Sequence, residues 1–312
     1  MSIPSAVRIR EVGPRDGIQS EKAKVATADK IALLDALGET GLRYIEALSF
    51  VSPKAIPNMA DAPEVWAGLT RKPEIFYSAL VPNRIGAEAA AEAGVDGMQV
   101  FVAATDSYNL RNLRKTVRES FEDISEVVAV ARAANIPVEG SLSTAFGCPY
   151  EGDVPPARVV EVSRWMVAAG ITSISYGDTT GMGTPRRVGE VIEVVRAEFP
   201  EVELNMHFHD TRGTGLANVL TALELGVDYF DAAVGGMGGS PYAEGATGNI
   251  ATEDLVHMLD DMGVSTGVDL SKLIAAARVA QGFIKGELPS KMLKAGPRSQ
   301  IAGPITKADL SV

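Results

Sequence analysis

A short run of β-branched and other apolar residues, then a turn, then an alanine- or glutamate-rich stretch of helical length recurs along the 312-residue chain. The runs predict strands at 7–13, 43–48, 75–80, 97–103, 138–143, 171–176, 203–209 and 228–233. The longer stretches predict helices at about 27–40, 62–70, 83–93, 116–134, 156–169, 185–198, 214–226 and 252–262. Thr27 and Thr252 stand where N-caps are expected. Pro155, Pro156 and Pro185 suit first turns, where a missing amide hydrogen costs nothing. Gly41, Gly94, Gly170 and Gly226 each close an apolar stretch, as a left-handed helix end requires. Eight such units predict an α/β fold of (β/α)8 type, a closed parallel barrel. An open doubly wound sheet is the alternative, disfavoured because no GxGxxG turn follows the first strand. One extra helix is expected at 271–286, outside the barrel, and the tail beyond Leu288 is left unassigned. The chain thus reads as one domain over 1–312, with the barrel at about 7–265 and the C-terminal helix and tail at about 270–312.

Composition narrows the function. Hydrophobic residues at 46% and charged residues at 22% are ordinary for a soluble globular chain with a large core. A formal charge of −11 argues against a nucleic-acid partner and against docking on an anionic membrane. It leaves room for an anionic small substrate, because a cleft can oppose the net charge. The single cysteine, Cys148, excludes an intrachain disulfide and fits a reducing compartment. The opening MSIPSAVRIREVG carries no apolar signal core or transit pattern, and no run is long enough to span a membrane. The expected location is cytoplasmic.

The chemistry gathers where a parallel barrel places it, at the carboxyl ends of the strands. The first strand ends in Gly13-Pro14-Arg15-Asp16-Gly17. Taken alone, an Arg-Asp pair is most often a turn with a salt bridge. The seventh strand adds Asn205-Met206-His207-Phe208-His209-Asp210. His207 and His209 are two apart, so on a strand they share a face. Two converging imidazoles pack poorly but bind a divalent metal well. His257, the third histidine, falls in a helical stretch and reads as structural or exposed. After the eighth strand comes Gly235-Gly236-Met237-Gly238-Gly239-Ser240-Pro241-Tyr242, a loop for close backbone approach, a lid, or a plain connector. Asn249 follows it and offers an amide oxygen. Such a mixed nitrogen and oxygen set suits Mg2+ or Mn2+, with Zn2+ as a further fit. Glu46, on the second strand, is read either as a proton-transfer group or as an internal ion pair with Arg15. Lys22 and Lys24 lie where they could meet phosphates, though a solvated surface is the commoner fate of such lysines.

The segments EVGPRDGIQSEK, IEALSFVSPK, LSTAFGCPYEG, SYGDTTGMGTP, HFHDTRGTGLAN and PYAEGATGNIATEDLVHML together resemble the hydroxymethylglutaryl-coenzyme A lyase family. The resemblance covers nearly the whole chain. It implies a metal-dependent (β/α)8 lyase acting on a coenzyme A thioester, assembled as a homodimer or higher homo-oligomer. By position it implies that Asp16, His207, His209 and Asn249 hold the cation. It further implies that Arg15 bonds the thioester or enolate oxygen, and that Glu46 and Asp178 are pocket acids. Gln19 and Ser49 match further pocket positions. One departure stands out: the family's lid-loop cysteine is Ser240 here, a far weaker acid than a thiol. A second is ALSF in place of TTSF on the second strand. Both bear on the substrate more than on the reaction type.

The expected reaction is removal of the 3-hydroxyl proton by Asp16, His207 or Glu46, cleavage of C2–C3, and stabilisation of the enolate by Arg15. Ser240, or a water it positions, would return the proton. With hydroxymethylglutaryl-coenzyme A the products are acetoacetate and acetyl-coenzyme A. The alternatives are a lyase for a methylmalyl, citramalyl or longer-branched thioester, a synthase running a condensation, and a non-catalytic binding barrel.

Overall fold

The structure, a computed structural model, describes residues 3–239, 248–301 and 303. Eight parallel strands close into a barrel in chain order. They are β1 (Arg8–Glu11), β2 (Tyr44–Ser49), β3 (Phe76–Leu80), β4 (Gly97–Ala103), β5 (Val138–Ser143), β6 (Ser173–Gly177), β7 (Glu203–His207) and β8 (Tyr229–Ala232). The seam pairs β1 with β8, from Arg8 opposite Tyr229 to Glu11 opposite Ala232. Outside lie α1 (Thr27–Gly38), α2 (Ala62–Gly68), α3 (Arg84–Ala93), α4 (Asp106–Leu113), α5 (Val117–Ala133), α6 (Pro156–Ala168), α7 (Pro185–Glu198), α8 (Gly215–Glu224) and α9 (Thr252–Asp261). Beyond the barrel come α10 (Leu270–Phe283) and α11 (Lys291–Ala295).

Strand alternation explains the layering. Met98, Val100 and Val102 of β4, and Leu204 and Met206 of β7, are buried apolar side chains in the core between strands and helices. The intervening positions, Gln99 and Asn205, are polar and turn into the barrel. There Arg10 reaches across to Glu139 at 2.7 Å, and Asn205 donates to Asp231 at 2.8 Å. The usual barrel interior is layered with branched apolar side chains. Here the middle tier is a buried charge network. Below it the rings of Tyr44, Phe76 and Tyr229 close the floor. Gly97 makes room for Phe76, since a Cβ there would sit 2.6 Å from the ring.

Several expectations are corrected. The expected β7 stops at His207, and His209 joins Asn249 through an isolated bridge instead. Thr27 and Thr252 are the first residues of α1 and α9 and cap neither. Their hydroxyls donate to carboxylates, Thr27 to the half-buried Asp61 and Thr252 to the buried Glu11, each at 2.6 Å. Ala26 and Ala251 occupy the N-cap positions, so each threonine lies one residue inside its helix and its hydroxyl turns to an acid elsewhere. α4 was not expected, and α11 makes a second helix beyond the barrel rather than one. Pro156 and Pro185 open α6 and α7 as anticipated. Gly94 caps α3 at φ 72°, and Gly41, Gly170 and Gly226 are likewise left-handed. Among the described residues no helix is long and apolar enough to cross a membrane.

Candidate active site

β1 leaves the barrel through a π-turn at Gly13–Gly17, in which the Gly17 amide reaches back five residues to the Val12 carbonyl. This wide turn brings Arg15 and Asp16 to the barrel mouth. Arg15 Nη1 donates to Asp16 Oδ1 at 2.8 Å, and Nη2 pairs with Glu46 Oε2 at 2.6 Å. Of the two readings of Glu46, the ion pair with Arg15 is present. Glu46 is fully buried and does not line the cavity. Burial raises its pKa, and Arg15 offsets part of that rise. For Asp16, burial also pushes upward, but Arg15 and the two histidines outweigh it and hold the carboxylate below its ordinary range.

From β7 and its extension, His207 and His209 face one another with their Nε2 atoms 3.1 Å apart. One ligand atom each from Asp16, His207 and His209 can be chosen so that all three lie within 4.8 Å of one another. Burial, reinforced by His207, pushes His209 down to about 3, so its ring is neutral at ordinary pH. His207 is different: burial lowers it, but the hydrogen bond and charge of Asp231 win and hold it above the usual value. Asn249 completes the group. Its amide nitrogen donates to Asp16 Oδ2 at 2.8 Å and to the Met237 carbonyl at 3.0 Å, while its Oδ1 is buried without a partner. Gly238 must be glycine for this: its φ is +107°, and a Cβ would lie 2.5 Å from Asn249 Nδ2.

Facing imidazole nitrogens, an ionised carboxylate and an orphaned amide oxygen are a donor set that fits a divalent cation. Asn249 itself lines a separate groove, while the carboxylate and both imidazoles lie in the wall of a cavity of about 350 Å³ with Arg15, Gln19 and Ser143. Arg15 Nε is buried there with no partner, a donor left over after both other nitrogens are engaged. Gln19 Oε1 is unpartnered as well.

Other expected residues stand further off. Ser49 is buried with a free hydroxyl but does not line the cavity. Asp178 lies behind the wall formed by its neighbours Gly177 and Thr179. Its Oδ1 accepts from the Gly183 amide at 2.8 Å, Oδ2 has no partner, and burial pushes it up to about 7. Lys22 is exposed and outside the cavity lining. His257 is half-buried on α9, at a separate groove with Met258 and Met292. Ser240 lies outside the described residues.

The sequence reading missed Asp231. It sits on β8 beneath His207 and takes bonds from Arg10, Asn205 and His207. A charged residue inside the otherwise apolar run Tyr229–Ala232 was the available signal. It also missed the polar residues of β5 and β6 that share the interior.

The chain is similar to known proteins over nearly its whole length. Residues 6–280 match the protein family described as HMGL-like. The hydroxymethylglutaryl-CoA lyase of Gallus gallus, a mitochondrial protein, is 47% identical over 95% of this chain and 100% of its own length. That of Bacillus subtilis is 46% identical over 94% and 98%. The B. subtilis crystal structure superposes with a TM-score of 0.91, covering 94% of this chain and 99% of that one. An HMG-CoA lyase from Acinetobacter baumannii, solved with coenzyme A and 3-methylmalate, is 42% identical. It superposes at a TM-score of 0.92 over 97% of this chain and 98% of that one. The family match, the full-length similarity and the shared barrel agree: the chain belongs to the hydroxymethylglutaryl-CoA lyase (HMGL-like) family.

Proposed function

We propose that this protein cleaves 3-hydroxy-3-methylglutaryl-coenzyme A to acetoacetate and acetyl-coenzyme A with the help of a divalent cation, Mg2+ or Mn2+ before Zn2+. The observation that carries the reading is the Asp16, His207 and His209 cluster in one cavity wall with Arg15. Asp16, His207, His209 and Asn249 are the residues that would hold the cation. When bound, it acts as a Lewis acid that lowers the pKa of the substrate's 3-hydroxyl.

The rest falls to the protein. We assign the 3-hydroxyl proton to the Asp16 carboxylate, which has lone pairs to spare beyond the one a cation takes, whereas the one bare nitrogen of His207 is committed to the cation. As that O–H bond breaks, C3 becomes a ketone, the C2–C3 bond breaks, and its electron pair becomes the thioester enolate. Arg15, in the cavity wall, offers its guanidinium to the enolate oxygen, where charge appears only as the reaction proceeds. Glu46 serves by holding Arg15 in place, and Asp178 by fixing the turn behind the wall. Ser240, or a water held by it, returns a proton to C2. Lys22, exposed three residues beyond Gln19, is assigned to the coenzyme A phosphates.

A second reading, a lyase for a methylmalyl-type thioester, is favoured by the 3-methylmalate bound in the A. baumannii relative. One assay separates the two. Purified protein with Mg2+ or Mn2+ should release acetyl-coenzyme A from hydroxymethylglutaryl-coenzyme A, and EDTA should stop it. No release with that substrate, but turnover of methylmalyl- or citramalyl-coenzyme A, would replace the first reading by the second. No turnover of any of them would leave a binding barrel. The family resemblance supports a homodimer, which light scattering would test. Relatives carry mitochondrial and cytoplasmic names, and we assign this chain to the cytoplasm.

A further inference from the structure

The two histidines of the cluster are not supported alike. His209 Nδ1 is buried with no partner. His207 Nδ1 lies 3.0 Å from Asp231 Oδ2, and Asp231 is itself 2% exposed. Asp231 is the hub of the barrel's middle tier. Its Oδ1 accepts from Arg10 Nε at 2.9 Å and from Asn205 Nδ2 at 2.8 Å. Its Oδ2 accepts from Arg10 Nη2 at 2.9 Å and from the Ser175 hydroxyl at 3.3 Å. Arg10 is anchored in turn by Glu139 at 2.7 Å. Donors from three strands besides its own therefore converge on the carboxylate, and N–H groups approach both of its oxygens. A proton on either oxygen would meet one of them.

We infer that Asp231 is a positioning residue that fixes His207 as its Nδ1–H tautomer and so presents a bare Nε2 to the site. The reason is the donor inventory. A carboxylate whose oxygens already take N–H donors can only accept from the imidazole. The proton must then sit on Nδ1, and Nε2 keeps its lone pair. That lone pair faces the cavity, 3.1 Å from the corresponding atom of His209. A hydrogen bond behind a ligating ring also fixes its rotation, and losing such a partner typically costs about 10–100-fold in metal affinity. The network runs from Glu139 through Arg10 and Asp231 to His207, which explains why charge fills an interior that barrels usually fill with apolar layers.

The inference rests on the cation reading above, and the experiment keeps the two apart. The chain has three histidines, so 15N-histidine labelling gives three imidazole spin systems, assigned with single substitutions such as His257→Gln. In the metal-free wild type at pH 9, His207 should show a protonated Nδ1 and a bare Nε2. The opposite tautomer overturns the inference, and this arm needs no variant at Asp231 to fold. Asp231→Asn keeps the shape but places an NH2 among donors. It should shift or mix the tautomer and weaken Mn2+ binding, measured calorimetrically, by about 10–100-fold. An unchanged tautomer with Mn2+ affinity within about twofold of wild type would also overturn the inference. Wild-type protein that binds no Mn2+ while His207 shows the expected tautomer would sink the cation reading alone.

Discussion

Arg15 is the residue on which most of the chemistry turns, and its two ion pairs make its substitution a double event. Arg15→Met removes the donor aimed at the enolate, which commonly costs about 10²–10³ in rate. It also leaves Glu46 buried without its partner, a loss of about 3–5 kcal/mol in stability. The two effects separate in the double variant. Adding Glu46→Gln should recover part of the stability in urea melts and none of the turnover. Mn2+ binding should survive in both, because Arg15 is not a ligand. Turnover that returned with stability would mean Arg15 acts only through the fold. At this scale His207 and His209 were legible from their spacing of two at a strand end, and Asp16 beside them only from the family resemblance. Asp231 was not. A lone aspartate in a strand announces that something must compensate it, but only the closed barrel shows that the something is Arg10 and His207.

At the scale of elements, the loop after β8 is held by two buried carboxylates. Glu11, at the end of β1, accepts from the amides of Gly13 at 2.7 Å and Val234 at 2.8 Å and from Thr252. Glu253, in the first turn of α9, accepts from the Gly235 amide at 3.0 Å. Burial pushes each up to about 7, against the hydrogen bonds that favour the ionised form. The folded pKa of Glu11 is thus above its unfolded value of 4.5. Its contribution to stability is full below that value and is lost as pH rises through about 7. Glu11→Gln, which cannot ionise, should therefore gain on wild type between pH 4.5 and 8, whatever its offset at the acid end. Paired urea titrations at several pH values read this directly. A stability difference that stays flat, or moves the other way, refutes the assignment. The elements themselves were mostly legible from periodicity. α4 escaped because DSYNLRNL has few apolar residues to repeat, although Tyr108 on it is buried and reaches the cavity wall. The caps escaped because a threonine before an apolar run looks the same whether it serves its own helix or an acid elsewhere in the fold.

For the whole molecule, eight repeated units gave the count, but closure itself came from the pairing of β1 with β8, which no local pattern contains. The candidate cation ligands straddle that seam. Asp16 follows β1, His207 and His209 come from β7, and Asn249 follows β8. A bound cation would join the first and last strands, where the chain ends have to meet. Anything that binds only the folded state stabilises it by about 2.7 kcal/mol at one hundred times its dissociation constant. For this site the gain should appear also as slower unfolding, provided that the seam opens in the transition state. Wild-type protein in Mn2+ should therefore resist urea more than in EDTA, and unfold more slowly. The variant carrying both His207→Ala and His209→Ala should show neither difference. A metal effect that persists in that variant would place the stabilising ion elsewhere. Equal midpoints but different unfolding rates in wild type would contradict binding to the folded state alone, since the free energy must then come from a site that also exists in the unfolded chain. A gain in both, erased by removing the two imidazoles, would tie the chemistry at the barrel mouth to the joint that closes the fold.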